Sequence, residues 1–288
     1  MFKHHRRYLT AAGVTVAAGT IALTSVAAGA SVAGPAGART PAAHAAALPT
    51  IHIAMNGKKI TVTGALQSGG VRIVSTVTRE GMGEPTLVRL DPGVTVAQLL
   101  RAASGDPNNI ALIASVVFSP QANKGTSSAQ VNLKPGRYVA ADLSPRRPTP
   151  PLTTFTIAAA ASPARLPAPG ATLSSIEFGF RGPGRLHDGE LVRFANHGFL
   201  VHMMFAVRAR SKSGAHEIAR LLKEGRNGRA QRLATSQYMF FGLLTHGAYQ
   251  QQVVRNRPGY WVLACFMDTQ DGRDHTVLGM ERVIHIAR

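Results

Sequence analysis

Apolar and polar residues alternate with a period of two along much of the chain. KKITVTGAL (58–66), GGVRIVSTV (69–77), ELVRFANHG (190–198) and YWVLACF (260–266) are rich in β-branched and aromatic residues, and MERVIHIAR (280–288) alternates as a terminal strand does. Successive side chains of a strand point to opposite faces, so this period predicts strands. Two stretches carry helical spacing instead: GVTVAQLLRAASG (93–105) and GAHEIARLLKEG (214–225). Each reads as one short amphipathic helix ended by Gly, and Thr95 with Gln98 forms a capping-box pair at the start of the first.

These elements occur twice in the same order. EPTLVRL (84–90) corresponds to HMMFAVR (202–208), the two helices correspond, and VNLKPGRYVAADL (131–143) corresponds to VRNRPGYWVLACF (254–266). The unit is strand, helix, strand, Pro-Gly turn, strand. TTFTIAA (153–159) closes the first copy, and SPARLPAPG (162–170) reads as a linker. The chain therefore divides into 1–48, 49–160 and 161–288. Short strands separated by turn signals predict an all-β fold of two tandem antiparallel sandwiches, each with one short helix.

Composition agrees with this pattern. A hydrophobic fraction of 45% supplies a core, and 29 Gly and 17 Pro supply turns. The net charge is +18; residues 1–48 hold Lys3, Arg6, Arg7 and Arg39 and no acid, which leaves 18 − 4 = +14 for the rest. Residues 208–232 alone hold eight Lys or Arg against two acids. That excess suits an acidic redox partner or an anionic cell envelope, or it is a solvated face with no dedicated partner. No nucleic-acid module signature is present, and no aromatic–basic stripe, so nucleic acid is not an expected partner.

MFKHHRRYLT is a basic start, followed by an uncharged Ala/Gly/Thr-rich run and then small residues with Pro. A basic n-region, an apolar h-region and an A-x-A-like exit predict an export signal. Arg6-Arg7 with Leu9 loosely matches a twin-arginine signal; an uncleaved membrane anchor is the alternative reading of the same run. Export places the protein outside the cytoplasm or in the envelope. Cys265 is the chain's single cysteine. It can form no internal disulfide, so in an oxidising compartment it is either buried or held by something.

The second copy carries His202, Cys265, His275 and Met280 in that order. Two imidazoles, a thiolate and a weak thioether are the ligand set of a blue-copper site. RFANHGFLVHMMF and PGYWVLACF…H…GM resemble the corresponding strands and ligand loop of the cupredoxins, the plastocyanin-like family. The resemblance covers about 171–288 directly and 50–158 through the repeat. It implies two tandem Greek-key sandwiches and assigns the copper-ligand positions to His202, Cys265, His275 and Met280. It also puts Asn196 where the family has an Asn that braces the Cys-bearing loop.

Two departures stand out. Nine residues, FMDTQDGRD, separate Cys265 from His275, where the family has two to four, and Val201 rather than Pro precedes His202. Asp271-Gly272 can close the insert into a hairpin that brings His275 back, or the insert can leave His275 far from Cys265. In the first copy Glu84 and Asp142 take the places of His202 and Cys265, so no blue-copper set is expected there. The chain has no His-x-His pair, no Gly-rich phosphate loop and no nucleophile elbow. The expectation is an exported copper-binding or electron-transfer protein that is not an enzyme, and the sequence identifies no small-molecule substrate. The alternative is a metal-free binding or structural module of the cell envelope.

Overall fold

The computed structural model describes residues 47–78, 83–120, 125–143 and 150–288. Residues 1–46, which hold most of the expected export signal, lie outside them. Residues 47–288 form one compact unit.

The first copy runs β1 (Thr50–Met55), β2 (Ile60–Gly64), β3 (Gly69–Val77), β4 (Pro85–Leu90), α1 (Val96–Ser104), a 3₁₀ helix (Pro107–Leu112), β5 (Ala114–Phe118), β6 (Gly125–Leu133), β7 (Gly136–Asp142) and β8 (Leu152–Ile157). The second runs β9 (Ala171–Ile176), β10 (Gly179–Arg181), β11 (Arg185–His187), β12 (Leu191–Asn196), β13 (His202–Arg208), α2 (Lys212–Lys223), α3 (Asn227–Leu233), β14 (Ser236–Leu244), β15 (Tyr249–Val253), β16 (Gly259–Ala264) and β17 (Glu281–Ala287). The repeat seen in the sequence is a repeat of pairing. β1 lies parallel to β3 as β9 does to β12, and β4–β7–β8 matches β13–β16–β17. In each copy one sheet faces the other across an apolar core, built around Ile51, Ile73, Leu87 and Phe118 in the first and Leu173, Phe194, Phe241 and Ile284 in the second. The fold is mostly β: in each copy two sheets pack face to face over an apolar core.

Local chemistry accounts for the helices. Thr95 and Gln98 close the capping box of α1 as their spacing predicts, and the Ser211 hydroxyl accepts from the N–H of Gly214 at the start of α2. Each helix lays one apolar stripe on the outer face of its own sheet. Leu99 meets Val88, Val116 and Val139; Ala215, Ile218, Leu221 and Leu222 meet Val207, Val262 and Ala264. Each buried Leu, Ile or Val among them contributes about 1.5–3 kcal/mol by leaving water. The short α3 and the 3₁₀ helix are additions to the single helix expected per copy.

The copies are not strung apart. The corresponding strands β6 and β15 pair antiparallel at Gln130 and Gln251, which joins half of each copy into one eight-stranded sheet. The segment read as a linker lies against β3: Ala164 accepts from the N–H of Gly70. A Cβ on Gly69 would sit 2.8 Å from Pro163, and one on Gly70 2.9 Å from Leu166, so this strap needs both glycines.

Candidate metal centre

β13 and β16 run antiparallel, with Phe205 opposite Ala264. Just beyond that pair stand His202, the first residue of β13, and Cys265, the residue after β16. The N–H of Met203 points at the Cys265 sulfur, 3.4 Å away, and the N–H of Cys265 extends the β16–β17 ladder to the carbonyl of Met280. Strand pairing alone thus brings His202, Cys265 and the backbone of Met280 together.

His275 arrives by a different route. The nine-residue insert is a hairpin: Asp268 bridges Asp274, Thr269 and Arg273 exchange hydrogen bonds, and Gly272 turns the chain at φ +80°. The N–H of His275 then donates to the carbonyl of Met267 at 2.8 Å. After it the chain winds tightly, Gly279 takes φ +102°, and the N–H of Met280 donates to the carbonyl of His275. The hairpin therefore cancels the extra length and returns the imidazole to the sulfur.

The Cys265 Sγ lies 3.4 Å from Nδ1 of His275 and 3.8 Å from Nδ1 of His202. The two rings sit 5.0 Å apart, and the three donor atoms all fall within 4.8 Å of one another. All three residues and Met280 are fully buried. Among the described residues this is the one group of three or more His, Cys, Asp or Glu placed to hold an ion. A thiolate and an imidazole about 2.0–2.3 Å from one ion, at angles of about 100–120°, lie about 3.3–3.8 Å apart. Both sulfur–nitrogen distances match, so the residues fit a soft, N/S-ligated metal.

Electrostatics suit the same end. Burial pushes His202 down to about 3, helped by His275, and pushes His275 down to about 4 against the pull of Glu177, Asp274 and Asp106. Both imidazoles are therefore neutral at pH 7, with lone pairs available. Burial pushes the Cys265 thiol up to about 12, opposed by the N–H groups of Met203 and Met267. The thiol keeps its proton until a cation takes its place. Nε2 of each ring is buried without a hydrogen-bond partner among the described residues; it is the atom that carries the proton when Nδ1 is the donor.

The loop before His202 is braced by polar groups. Asn196, fully buried, accepts from the Ser175 hydroxyl and the N–H of Gly198, and donates to the carbonyls of Leu200 and Leu244. The resemblance had this Asn brace the Cys-bearing loop; its side-chain bonds go instead to the His202-bearing loop, to β14 and to Ser175 of β9. The Glu177 carboxylate accepts from the N–H groups of Phe199 and Leu200. Gly198 has no room for a side chain, because a Cβ there would lie 2.7 Å from Nε2 of His202. The Asn227 amide, at the start of α3, donates to Asp274 beside His275. Nothing in the local sequence marks Glu177 or Asn227, which act across 22 and 47 residues of chain.

Among its described residues the first copy has no such set. Asp142, at the place of Cys265, is buried and accepts from the N–H of Glu84, at the place of His202. A carboxylate closes the position that a thiol holds in the second copy.

No protein-family model matches the chain, and no curated protein matches it. Among solved structures it is similar to reduced auracyanin from Roseiflexus castenholzii, at 15% identity over 41% of this chain and 95% of that one, with a TM-score of 0.26. It is also similar to a multicopper oxidase, at 13% identity over 83% and 88% with a TM-score of 0.24. A copper nitrite reductase from Nitrosomonas europaea matches at 11% identity over 83% and 93%, also with a TM-score of 0.24. These are distant likenesses, and what the site can do follows from its own geometry.

One expectation is withdrawn. The sequence led to a protein that is not an enzyme, yet the structures matching across both copies include an oxidase and a nitrite reductase, which are enzymes. The physical reason is that a single redox site passes electrons whether or not bonds are made elsewhere. Its ligand set is therefore silent about catalysis.

Proposed function

We propose that the protein binds one copper ion, which His202, Cys265, His275 and Met280 would hold, and passes single electrons through it outside the cytoplasm. The observation that carries this reading is the convergence of three buried soft donors from two strands and a purpose-built hairpin. A copper ion held there would supply one-electron redox chemistry. Cys265 gives up its proton and presents a thiolate. His202 and His275 present Nδ1 in the neutral form. The Asn196 and Glu177 networks hold the His202 loop still, so little rearrangement accompanies a change of charge at the site.

The first 48 residues support export by their pattern, and among the described residues no helix is long and apolar enough to cross a membrane. The 49–160 copy serves as a scaffold domain and 161–288 as the site-bearing domain. Lys212, Lys223, Arg229 and Arg232 are exposed along α2 and α3 and offer a face to an acidic redox partner or an anionic envelope surface.

The test is a titration of purified protein with copper(II) sulfate. An intense visible absorption should saturate at one equivalent, and Cys265→Ser should abolish it while leaving the far-ultraviolet circular dichroism unchanged. Absence of the band in the wild-type protein would leave a metal-free module.

A further inference from the structure

The first copy supplies no ligand, yet one of its side chains reaches the site. Asp106 caps the 3₁₀ helix, and its Oδ1 accepts from both the backbone N–H and the side-chain amide of Asn108, each at 2.9 Å. Asn108 is only 5% exposed. Its Oδ1 accepts from the N–H of Val201 at 2.9 Å, and its Nδ2 also donates to the carbonyl of Asp268 at 2.9 Å. One amide orientation satisfies all of these bonds, since the oxygen meets an N–H and the nitrogen meets two oxygens.

The two contacts fall on the two segments that carry the donors. Val201 immediately precedes His202. Asp268 stands three residues after Cys265 and opens the Asp268–Asp274 bridge, on the other side of which lies His275. The β13–β16 ladder ends at Phe205 and Ala264, short of the ligands. Asn108 ties the segments together beyond that end, across 93 residues of chain to Val201 and 160 to Asp268. This is the link to the Cys-bearing loop that Asn196 does not make.

We infer that Asn108 is a positioning residue for the second copy's metal site: the copy without ligands fixes the spacing between His202 and the Cys265–His275 pair. The effect on metal rests on the proposed copper site; the positioning itself does not. A buried amide that joins two ligand segments acts as outer support for a metal, and loss of such support typically costs about 10–100-fold in affinity. The first copy is then part of the site rather than a degenerate appendage.

The experiment uses the full chain with Asn108→Ala, Asn108→Asp and, as an interface control, Gln130→Ala. Gln130 meets Gln251 across the join, away from the ligand segments. In metal-free protein, amide hydrogen exchange of Asn108→Ala should speed up at least about 10-fold at Val201 and along Met267–Arg273, with β3 unchanged. Asn108→Asp keeps the acceptor but loses the donor, so Val201 should stay protected while the hairpin loosens. Loss of copper(II) to a chelator should be about 10–100-fold faster in Asn108→Ala than in wild type and unchanged in Gln130→Ala. Wild-type exchange at both segments in Asn108→Ala and Asn108→Asp would overturn the inference and leave the copper reading intact. The expected exchange pattern in a protein that takes up no copper would sustain the positioning role and sink the copper reading.

Discussion

The two imidazoles, each with Nε2 buried and unpartnered among the described residues, are poor residents of a dry core. In metal-free protein their neutrality has a consequence for stability. His202 and His275 titrate at about 3 and about 4 when folded, against an ordinary 6.5. An unfolded chain therefore binds protons below about 6.5 that the folded chain refuses. The two groups cost no stability above that value, and stability falls as pH drops from about 6.5 towards about 4. Each contributes up to about 1.4 kcal/mol per pH unit in that window. Urea midpoints of the metal-free protein measured from pH 7 to pH 4.5 should show this slope, and His275→Gln should remove about half of it. A variant with the wild-type slope would mean that His275 is protonated in the folded state.

The Cys265–His275 hairpin is the element that decides whether the donors meet. Its turn depends on Gly272, whose φ of +80° is costly for any residue with a Cβ. A Cβ there would touch nothing within 4 Å, so a substitution probes the backbone conformation alone. Gly272→Val should lower stability by about 1–2 kcal/mol, whereas Gly272→Asn, which tolerates the left-handed region, should cost only a few tenths. Thermal denaturation of the pair checks this; equal losses would show that the turn does not rely on that conformation. α1 and α2 follow simpler rules, since a cap and one apolar stripe each suffice to seat them on their sheets.

The two copies share more than a strap. The shared eight-stranded sheet, the Asn108 clamp and the hydrogen bonds between Val116 and Thr245 tie them into one unit. The copies also pack tightly at Gly242, where an added Cβ would lie 2.3 Å from the Ser119 side chain. Gly242→Ala should therefore cost about 1–3 kcal/mol by overpacking. Ser119→Gly in the same chain should recover much of that loss, because it removes the clashing atoms. Chemical denaturation of both single variants and the double variant measures the coupling, and strictly additive losses would show that these residues do not meet.

Much of this molecule was written in short-range pattern. Period-two alternation gave the strands, with β3 and β13 ending where the pattern ends. The Thr95–Gln98 spacing gave the cap of α1, and the order of His202, Cys265, His275 and Met280 pointed to the candidate donors, of which the fold brings His202, Cys265 and His275 together. The alternation and the cap are relations between residues close along the chain, and the physics behind them is local; the order of the donors was read from a resemblance, since His202 and Cys265 stand 63 residues apart. Packing decided the rest. Whether His275 returned to Cys265 depended on how the hairpin seated, not on its length. The reach of Asn108, the closeness of Gly242 to Ser119 and the pairing of β6 with β15 join residues that no periodicity relates. They exist because burying the faces of two sandwiches against each other brings distant backbone groups together. Once buried, those groups must find hydrogen-bond partners wherever the fold has put them.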